Sequence, residues 1–414
     1  MYTVDTAAIA RARLSSTAGL LAVTPVVWWL GLTSLFTDVS TEMVYSTLPA
    51  YLVLHLGFSP LSFALVDSSY HGTGALLRIV SALFTDRLRR YKEVASAGYW
   101  LSAAAKLALL AGTSSTAIAA SVAVDRTGKG IRTAPRDALV TLNTPSPHLG
   151  VAFGVHRAMD AMGAMLGPLL AYVMLAVPGG GYDALFLASL CAALVGLSAI
   201  GLFVRNPGER DAGRTPPALG LVAAVFRSRA FALVALVAAL VGALTIGDGF
   251  VYLLLQRRLR LAPSSFPLLA FASAAAYMLT AVPLGRLADR VGRGAVFAGG
   301  HLALIAVYGC LAALPRMSAP LGILCLALLG LYYAATDGVL AALAASVLDR
   351  EVLTTGLAVV GTITGLARAA ASVAFGAAWT AFGDAAAAAA FAVGLLTATA
   401  LAALAVRRLQ RACA

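Results

Sequence analysis

Apolar residues run along the chain in long blocks, each followed by a short segment that contains polar residues, glycine or proline. An α-helix needs about 20 apolar residues to cross a hydrocarbon core of about 30 Å, and the blocks reach that length repeatedly. The pattern therefore predicts an all-α polytopic membrane protein with twelve spans and no soluble domain. The predicted spans cover residues 24–54, 60–84, 93–112, 116–142, 150–177, 183–204, 229–256, 264–284, 294–314, 319–347, 352–378 and 385–406.

One sizeable hydrophilic segment interrupts the apolar blocks. It reads RNPGERDAGRTPPALG, from Arg205 to Gly220, and its prolines, glycines and charges are typical of a flexible linker. Six predicted spans lie on each side of it. The sequence thus predicts a first six-helix bundle over 1–204, a linker over 205–228 and a second bundle over 229–414.

The charge distribution predicts the orientation of these spans. The chain is 60% hydrophobic and 12% charged, with a mean hydropathy of +0.88 and a net charge of +12. With the linker placed in the cytoplasm, 18 of the 30 Lys and Arg residues fall in cytoplasmic segments and four in external loops. We therefore expect a protein of the inner (plasma) membrane with both termini cytoplasmic. The basic charge is a topology signal and does not indicate nucleic acid as a partner.

One feature disagrees with this predicted topology. Three arginines, Arg257, Arg258 and Arg260, would face outward against the general trend, and the pattern does not explain them.

The four cysteines show no CxxC spacing, so we predict no metal site. The sequence contains neither a HExxH motif nor a Ser/His/Asp arrangement, and we predict no enzyme.

The fourth predicted span carries an unusual density of charge. The segment DRTGKGIRTAPRDAL, Asp125–Leu139, places its charged residues within an arc of about 140° on one helix, over about 18 Å. A charge inside a bilayer is costly and normally faces water, a ligand or an opposing charge. The stripe is formed by Asp125, Arg126, Lys129, Arg132, Arg136 and Asp137.

Other predicted spans supply charges that can oppose this stripe. Asp38 and Glu42 lie four residues apart on one face of the first span. The fifth span contributes His156, Arg157 and Asp160, and the second half contributes fewer charges: Asp248, Asp337 and Arg368. A shared aqueous cavity explains the set; ion pairs that only hold helices together are the alternative.

These residues resemble a known family. Two sets of six spans joined by a basic linker resemble the major facilitator superfamily (MFS), as does the loop GRLADRVGR, Gly285–Arg293. A degenerate copy of that loop, ALFTDRLRRYK, begins at Ala82, and Arg126 with Gly130 matches the family's RxxxG motif. The run DRTGKGIRTAPRDAL resembles a prokaryotic subgroup that includes transporter-like proteins of magnetosome-forming bacteria, suspected of moving iron.

The fifth span carries a glycine pattern similar to one that marks proton antiporters of that superfamily. It contains Gly154, Gly163 and Gly167, followed by Pro168, while Ala171 and Tyr172 replace the expected terminal glycine pair. Glycines at this spacing also allow helices to approach closely, so packing between the two bundles is the alternative.

The resemblance implies a secondary active transporter that works by alternating access, with two bundles rocking about a central site. We expect Asp38 and Glu42 to carry the exchangeable proton opposite Arg126, and the cavity to favour an anionic or metal-chelating solute. The predicted substrate-binding residues are Asp125, Lys129, Arg132, His156, Arg157, Asp160, Asp248, Tyr252, Asp337 and Arg368.

The resemblance also implies a latch in the loops, in which Asp86 would cap a helix of the opposite bundle. The predicted gating residues are Asp86, Arg87, Arg90, Arg136, Asp137, Asp289, Arg290, Arg293 and Asp349.

Taken together, the sequence predicts a proton-coupled antiporter that exports a small molecule. The expected partners are the lipid bilayer and the solute; the proton gradient is the energy source, no cofactor is expected, and the protein would act as a monomer. A proton-coupled importer of a metal complex or organic anion, a lipid flippase, a uniporter and a non-transporting scaffold remain alternatives.

Overall fold

The computed structural model describes residues 23–88, 90–112, 114–145, 148–206, 224–348 and 352–413. Long α-helices account for nearly all of these residues, and no strand occurs among them. The helices are α1 Pro25–Tyr45, α2 Pro60–Leu88, α3 Tyr91–Ala111, α4 Ser115–Leu142, α5 Leu149–Ala176, α6 Tyr182–Phe203, α7 Arg229–Gly242, α8 Asp248–Leu259, α9 Pro267–Val291, α10 Arg293–Ala313, α11 Ala319–Ala345, α12 Leu353–Phe382 and α13 Asp384–Cys413. The all-α fold is confirmed.

Capping residues and glycines set the helix ends. Ser114 and Ser228 precede α4 and α7, and each side-chain oxygen accepts a hydrogen bond from the backbone three residues on. Gly292 and Gly383 lie in the turns after α9 and α12 with φ of +100° and +87°, a backbone region that glycine adopts without a Cβ clash. These tight turns make consecutive helices antiparallel.

Two predicted spans are interrupted, the first near its C-terminal end and the seventh near its middle. The first continues beyond Tyr45 through a short turn, Leu48–Ala50, and a π-helical turn, Tyr51–His55. The seventh is divided into α7 and α8, and the hydroxyl of Tyr308 accepts a hydrogen bond of 3.0 Å from the backbone N–H of Ile246 in the break. We call the side of the molecule where the first span ends and α2 begins the far side; the opposite side, where α6 ends and α7 begins, is the linker side.

Helix packing separates the chain into two groups. We call α1–α6 the N-half and α7–α13 the C-half. Within the N-half α1 packs on α5 and α6, and α4 on α2 and α3; within the C-half α11 packs on α9 and α10. The main contacts between the halves are α2 with α12 and α5 with α9. The predicted boundaries at 205 and 229 stay predictions, since residues 207–223 lie outside the described part.

The described helices are suited to a membrane. Eight of them are long and apolar enough to span one, and α4, which holds the charged segment, is not among these eight. The observed ends differ from the predicted ends by a few residues, except at the two interruptions. The chain is therefore a multi-pass membrane protein.

Candidate functional site

A cavity of about 840 Å³ lies between the two halves. It extends from mid-depth toward the linker side, where the side chain of Arg157 is 57% exposed. Helices of both halves line it: α1, α2, α4 and α5 on one wall and α7, α10, α11 and α12 on the other. The charged lining residues are Asp38, Arg126, Lys129, Arg136, Arg157, Asp160, Asp337 and Arg368, together with His71 and His301.

Buried aromatic side chains close the cavity on the far side. Phe250 of α8 packs against Phe63 of α2 with ring centroids 4.7 Å apart, and against Phe375 of α12 at 5.0 Å. Trp379 adds a further ring, 5.9 Å from each of Phe250 and Phe375. We call these four residues the aromatic seal. Because the seal joins both halves, the cavity has access to one side only.

Asp38 is bound into the wall of the N-half by two cations from α4. Its Oδ1 lies 3.5 Å from Nζ of Lys129 and 3.7 Å from Nη2 of Arg132. Lys129 is 40% exposed toward the cavity, whereas Arg132 is buried and also donates a 2.9 Å hydrogen bond to Ser102. Asp38 is thus paired with two cations of α4 and still accessible from the cavity.

Asp125 lies behind the cavity wall and joins α4 to α3. Its oxygens accept hydrogen bonds from Nζ of Lys106 at 2.8 Å and from Nη2 of Arg126 at 2.5 Å. Close packing of α3 on α4 makes this contact possible, because Gly98 and Gly128 face each other and a methyl group on either would strike the opposite backbone. Three buried charges therefore form one network.

A second network lies nearer the linker side. Arg136 pairs with Asp137 at 3.0 Å and with Asp160 at 3.7 Å, and Arg157 pairs with the same two acids at 3.2 and 3.4 Å. His156 Nδ1 lies 3.4 Å from Asp160. These contacts join α4 to α5 at the mouth of the cavity.

Two arginines face the cavity from opposite halves. Arg126 stacks on the ring of Tyr70, 4.1 Å from its centroid, and Arg368 donates a 3.0 Å hydrogen bond to the hydroxyl of Tyr332. The Nε atoms of both arginines are buried and have no hydrogen-bond acceptor among the described residues. His71 lies within electrostatic reach of both guanidinium groups. The pair is suited to hold an anion between the halves.

The C-half wall carries few charges and consists mainly of small, aliphatic and hydroxyl side chains, with hydrogen-bonded tyrosines behind it. The hydroxyl of Tyr333 donates to Asp248, and Tyr252 shares a 2.5 Å hydrogen bond with Ser273 behind the wall. Asp337 lies 3.9 Å from Arg368 and its side chain is 55% exposed. No group of three or more His, Cys, Asp or Glu side chains that could hold a metal occurs in the part of the chain that the structure describes.

The structure brings only part of the predicted set to the cavity. Of the predicted proton-coupling residues, Asp38 and Arg126 line it, whereas Glu42 lies beside Gly167 of α5 and makes no ion pair within 4 Å among the described residues. Arg126 pairs with Asp125 rather than with either acid of α1. The predicted substrate-binding residues that line the cavity are Lys129, Arg157, Asp160, Asp337 and Arg368; those that lie behind the wall or in the seal region are Asp125, Arg132, His156, Asp248 and Tyr252.

The predicted gating residues do not form one cluster. Arg136 and Asp137 belong to the network at the cavity mouth. Asp289 lies 4.0 Å from Arg293, which also donates a 3.0 Å hydrogen bond to the carbonyl of Ala342. Arg90 is exposed at the start of α3, and Arg290 is exposed near the end of α9. The side chains of Asp86 and Arg87, and Asp349 as a whole, lie outside the described part.

Two of the three arginines predicted to face outward have side-chain partners on the far side. Arg258 of α8 pairs with Asp384 at the start of α13 at 3.2 Å and donates to the carbonyl of Leu311. Arg257 stacks on Trp379 with 5.1 Å between the guanidinium carbon and the ring centroid. Arg260 ends α8 in the left-handed conformation, with φ of 55°. The first two therefore hold α8 to α12 and α13.

The glycines of α5 pack within the N-half. A methyl group at Gly163 would lie 2.5 Å from the carbonyl oxygen of Leu35, and one at Gly167 would lie 2.7 Å from Cβ of Glu42. Both neighbours belong to α1, so these two glycines serve contact within the N-half and not the contact between the bundles that was considered as the alternative. Nothing lies within 4 Å of the corresponding position at Gly154. Their close approach to α1 fixes the positions of Asp38 and Glu42.

Several lining residues were not among the sequence candidates. Tyr70, Thr245, Phe297, His301 and Tyr332 all face the cavity. Aromatic and hydroxyl side chains are common in membrane spans, so their type alone does not indicate a site. His71 also lines the cavity, and its residue type does indicate a site, because ionisable residues within a membrane span are rare and usually functional.

The family follows from comparison with known proteins. The model of the Major Facilitator Superfamily matches residues 30–372. An uncharacterized MFS-type transporter of Methanocaldococcus jannaschii is 29% identical over 371 residues, covering 85% of this chain and 88% of the relative.

Solved structures of low sequence identity have the same fold. The nucleoside transporter NupG has a TM-score of 0.75 at 14% identity, covering 93% of this chain and 99% of that chain. A bacterial homologue of the lysosomal transporter Spinster, in an inward-facing conformation, has a TM-score of 0.69 at 15% identity, covering 92% of this chain and 94% of that chain. The family model matches most of the length of this chain. The chain therefore belongs to the Major Facilitator Superfamily, whose members are transporters and not enzymes.

Proposed function

We propose that the protein is a proton-coupled secondary transporter that moves a small organic anion by alternating access in the inner membrane. The single observation that carries this proposal is the pair of guanidinium groups, Arg126 and Arg368, that face one cavity from opposite halves with their Nε atoms unpaired. An anion held by both would draw the halves together, and its release would let them separate.

The charge and size of the cavity support an anionic cargo. Five cationic and three acidic side chains line it, so its wall carries a positive excess of two. A volume of about 840 Å³ matches the range of small-molecule sites. A lipid flippase would need a mainly apolar wall with a lateral opening, and this wall is charged. A metal chelate that carries negative charge belongs to the same class of cargo.

The ion pair between Asp38 and Lys129 supports proton coupling in which the anion and the proton bind together. An anion that binds Lys129 competes with Asp38 for that ammonium group, which lies 3.5 Å from the carboxylate. With Lys129 engaged by the anion, only Arg132 would still pair with Asp38, and a proton on Asp38 would offset the lost countercharge. Glu42, which has no cation within 4 Å among the described residues, is the second candidate proton carrier. Anion and proton would then bind together, and the inward proton gradient would drive import.

Antiport is the second candidate. The glycine pattern of α5 resembles that of proton antiporters of the superfamily, and export of the anion would follow from it. In this chain Gly163 and Gly167 pack against α1, which accounts for them without reference to transport direction. We therefore favour import. In both cases we place the linker side in the cytoplasm, where most of the basic loop residues lie, and treat the monomer as the working unit.

Binding is tested with the purified protein by a thermal-stability screen at pH 5.5 and 8. The panel contains dicarboxylates, phosphate esters, a ferric chelate, sugars and amines. An anion should raise the melting temperature, more so at the lower pH, and Arg368→Ala should abolish the shift. Stabilisation by sugars or amines alone would contradict the proposal.

Direction is tested in proteoliposomes with the anion found in the screen. An inward proton gradient should drive accumulation if anion and proton move together. Accumulation driven by an outward proton gradient would establish antiport. Equal rates with either gradient would show a uniporter and remove proton coupling.

A further inference from the structure

We propose that Asp67 and Asp248 form a proton-binding pair that controls the far-side gate. This inference rests on the proposed proton-coupled transport and adds two coupling residues to it. Asp67 belongs to α2 of the N-half, and Asp248 is the first residue of α8 in the C-half. They lie between the end of the cavity and the aromatic seal, where the two halves meet.

The two acids approach each other at the break of the seventh span. A methyl group at Gly247 would clash with the Asp67 carboxylate, so only a glycine allows α2 to approach the start of α8 this closely. The next residue along the chain is Asp248, which lies within electrostatic range of Asp67. The contact at Gly247 therefore brings a carboxyl group of the N-half to the start of α8, near an acid of the C-half.

The direct hydrogen bonds to the pair come from hydroxyl groups. Ser372 of α12 donates a 2.5 Å hydrogen bond to Asp67, and Tyr45 of α1 donates one of 3.3 Å. Tyr333 of α11 donates to Asp248. The ionisable groups within electrostatic reach of the pair or of its direct partners are Tyr45 of α1, Tyr70 and His71 of α2, Arg126 of α4, Tyr252 of α8, Tyr308 of α10, Tyr333 and Asp337 of α11 and Arg368 of α12.

Burial makes the charge of this pair decisive for the gate. Asp67 is 3% exposed, and its nearest ionisable nitrogen is Nε2 of His71 at 3.9 Å. Two ionised carboxylates in such a place repel each other with little screening. One proton on the pair removes the repulsion and allows one acid to donate a hydrogen bond. A protonated pair therefore keeps the halves together on the far side, and a fully ionised pair pushes them apart.

His71 connects this pair with the cavity. Its ring lines the cavity, and its Nε2 faces the Asp67 carboxylate one helical turn away. A proton that enters the pair from the far side when the seal is open can thus leave through His71 when the cavity faces the linker side. The arrangement gives the proton a route that passes the closed seal only as the gate changes state.

The test measures the far-side gate directly, without substrate. Spin labels are placed at Leu61 and Phe382, both exposed near the far-side ends of α2 and α12. The four native cysteines are replaced by serine, and the distance distribution is recorded in lipid nanodiscs at pH 5.5 and 8.5. In the wild-type background we expect the short-distance population to rise at least threefold at the lower pH.

Neutralised acids should remove this response. The double variant Asp67→Asn with Asp248→Asn should hold the short distance at both pH values. Asp183→Asn, an exposed acid at the far-side end of α6, is the matched control and should respond as the wild type does. Ser372→Ala keeps both acids and should retain a pH response with a smaller short-distance population at each pH.

Two results would overturn the inference: an unchanged distance distribution in the wild-type background, or a double variant that keeps the full pH response. Failure here is distinguishable from failure of the proposed function. Anions would still stabilise the protein through Arg126 and Arg368 if the gate did not respond to pH. Conversely, a pH-dependent gate in a protein that binds no anion would leave the acid pair in place and remove the cargo.

Discussion

The two walls of the cavity are built on different principles. The N-half contributes six of the charged lining residues, and most of them are held by ion pairs with one another. The C-half contributes two, Asp337 and Arg368, set among tyrosines and small residues. In the transport that we propose, the N-half wall would select the charge of the cargo, and the C-half wall would add a single cation to the site.

This contrast also explains how the N-half can tolerate so much buried charge. An isolated ion in a membrane interior is costly, but each cation of α4 lies beside an acid of α1, α4 or α5. Small residues at the contacts of α3 with α4 and of α1 with α5 bring those partners within reach. The charge therefore depends on the close packing, and the predictions below separate the two.

The largest effect is expected when a buried pair of the N-half is broken. Asp125→Ala leaves Lys106 and Arg126, which are 3% and 7% exposed, without their acid. We expect a loss of about 3–5 kcal/mol in the free energy of unfolding, because an uncompensated buried charge remains. Denaturant unfolding of the purified protein in detergent measures it.

The matched variant on the other wall is Asp337→Ala. Its side chain is 55% exposed and lies 3.9 Å from Arg368, so solvent screens the pair. The expected loss is below about 1 kcal/mol. Equal losses in the two variants would mean that the two walls carry their charge in the same way.

A smaller effect is expected from the helix contact that positions Asp38. Gly163→Ala would place a methyl group 2.5 Å from the carbonyl oxygen of Leu35 and 3.1 Å from Cβ of Asp38. Because α1 and α5 must separate to accommodate it, we expect a loss of about 1–3 kcal/mol of stability. Gly154→Ala is the control in the same motif, since nothing lies within 4 Å of its added methyl group. If both variants lose the same stability, close packing is not the reason for Gly163.

A third comparison changes one arginine on each wall. Arg126→Lys and Arg368→Lys keep the charge but lose the planar donor group that stacks on or bonds to a tyrosine. Each should raise the Kd of the anion about tenfold, equivalent to about 1.4 kcal/mol, as measured by titration calorimetry. Arg227→Lys, an exposed arginine outside the cavity, should leave the Kd unchanged. A loss in only one wall would restrict the anion site to that half.

The sequence predicted the helices and which helix carries the charged segment, for a physical reason, whereas the roles of the site residues stay predictions. Runs of apolar residues and charges inside them are local signals, and the stripe from Asp125 to Asp137 lies on one helix whose geometry is known in advance. Lys129 and Arg126 were therefore placed correctly on the cavity wall.

Contacts between helices could not be predicted in the same way. Arg126 pairs with its neighbour Asp125 and not with the acids of α1, because Lys106 and Arg132 complete the charge balance from other positions. The break between α7 and α8, where Gly247 contacts Asp67, contains a hydrogen bond from the backbone N–H of Ile246 to Tyr308, 62 residues along the chain. Such partners are set by tertiary packing, which one sequence without its relatives does not encode locally.

The smallest effect is expected at Arg260, which lies outside the cavity. Arg260 ends α8 with φ of 55° and ψ of 39°, a conformation that costs a residue with a Cβ about 1–2 kcal/mol. Arg260→Gly relieves that cost but gives the unfolded chain more freedom, so we expect a net gain of about 0.5 kcal/mol in unfolding free energy. Arg260→Ala keeps the strained backbone and should gain nothing. If alanine stabilised the protein as much as glycine does, the effect would come from removing a charge near Arg257 and Arg258, and the far-side rim would be limited by electrostatic repulsion rather than by backbone conformation.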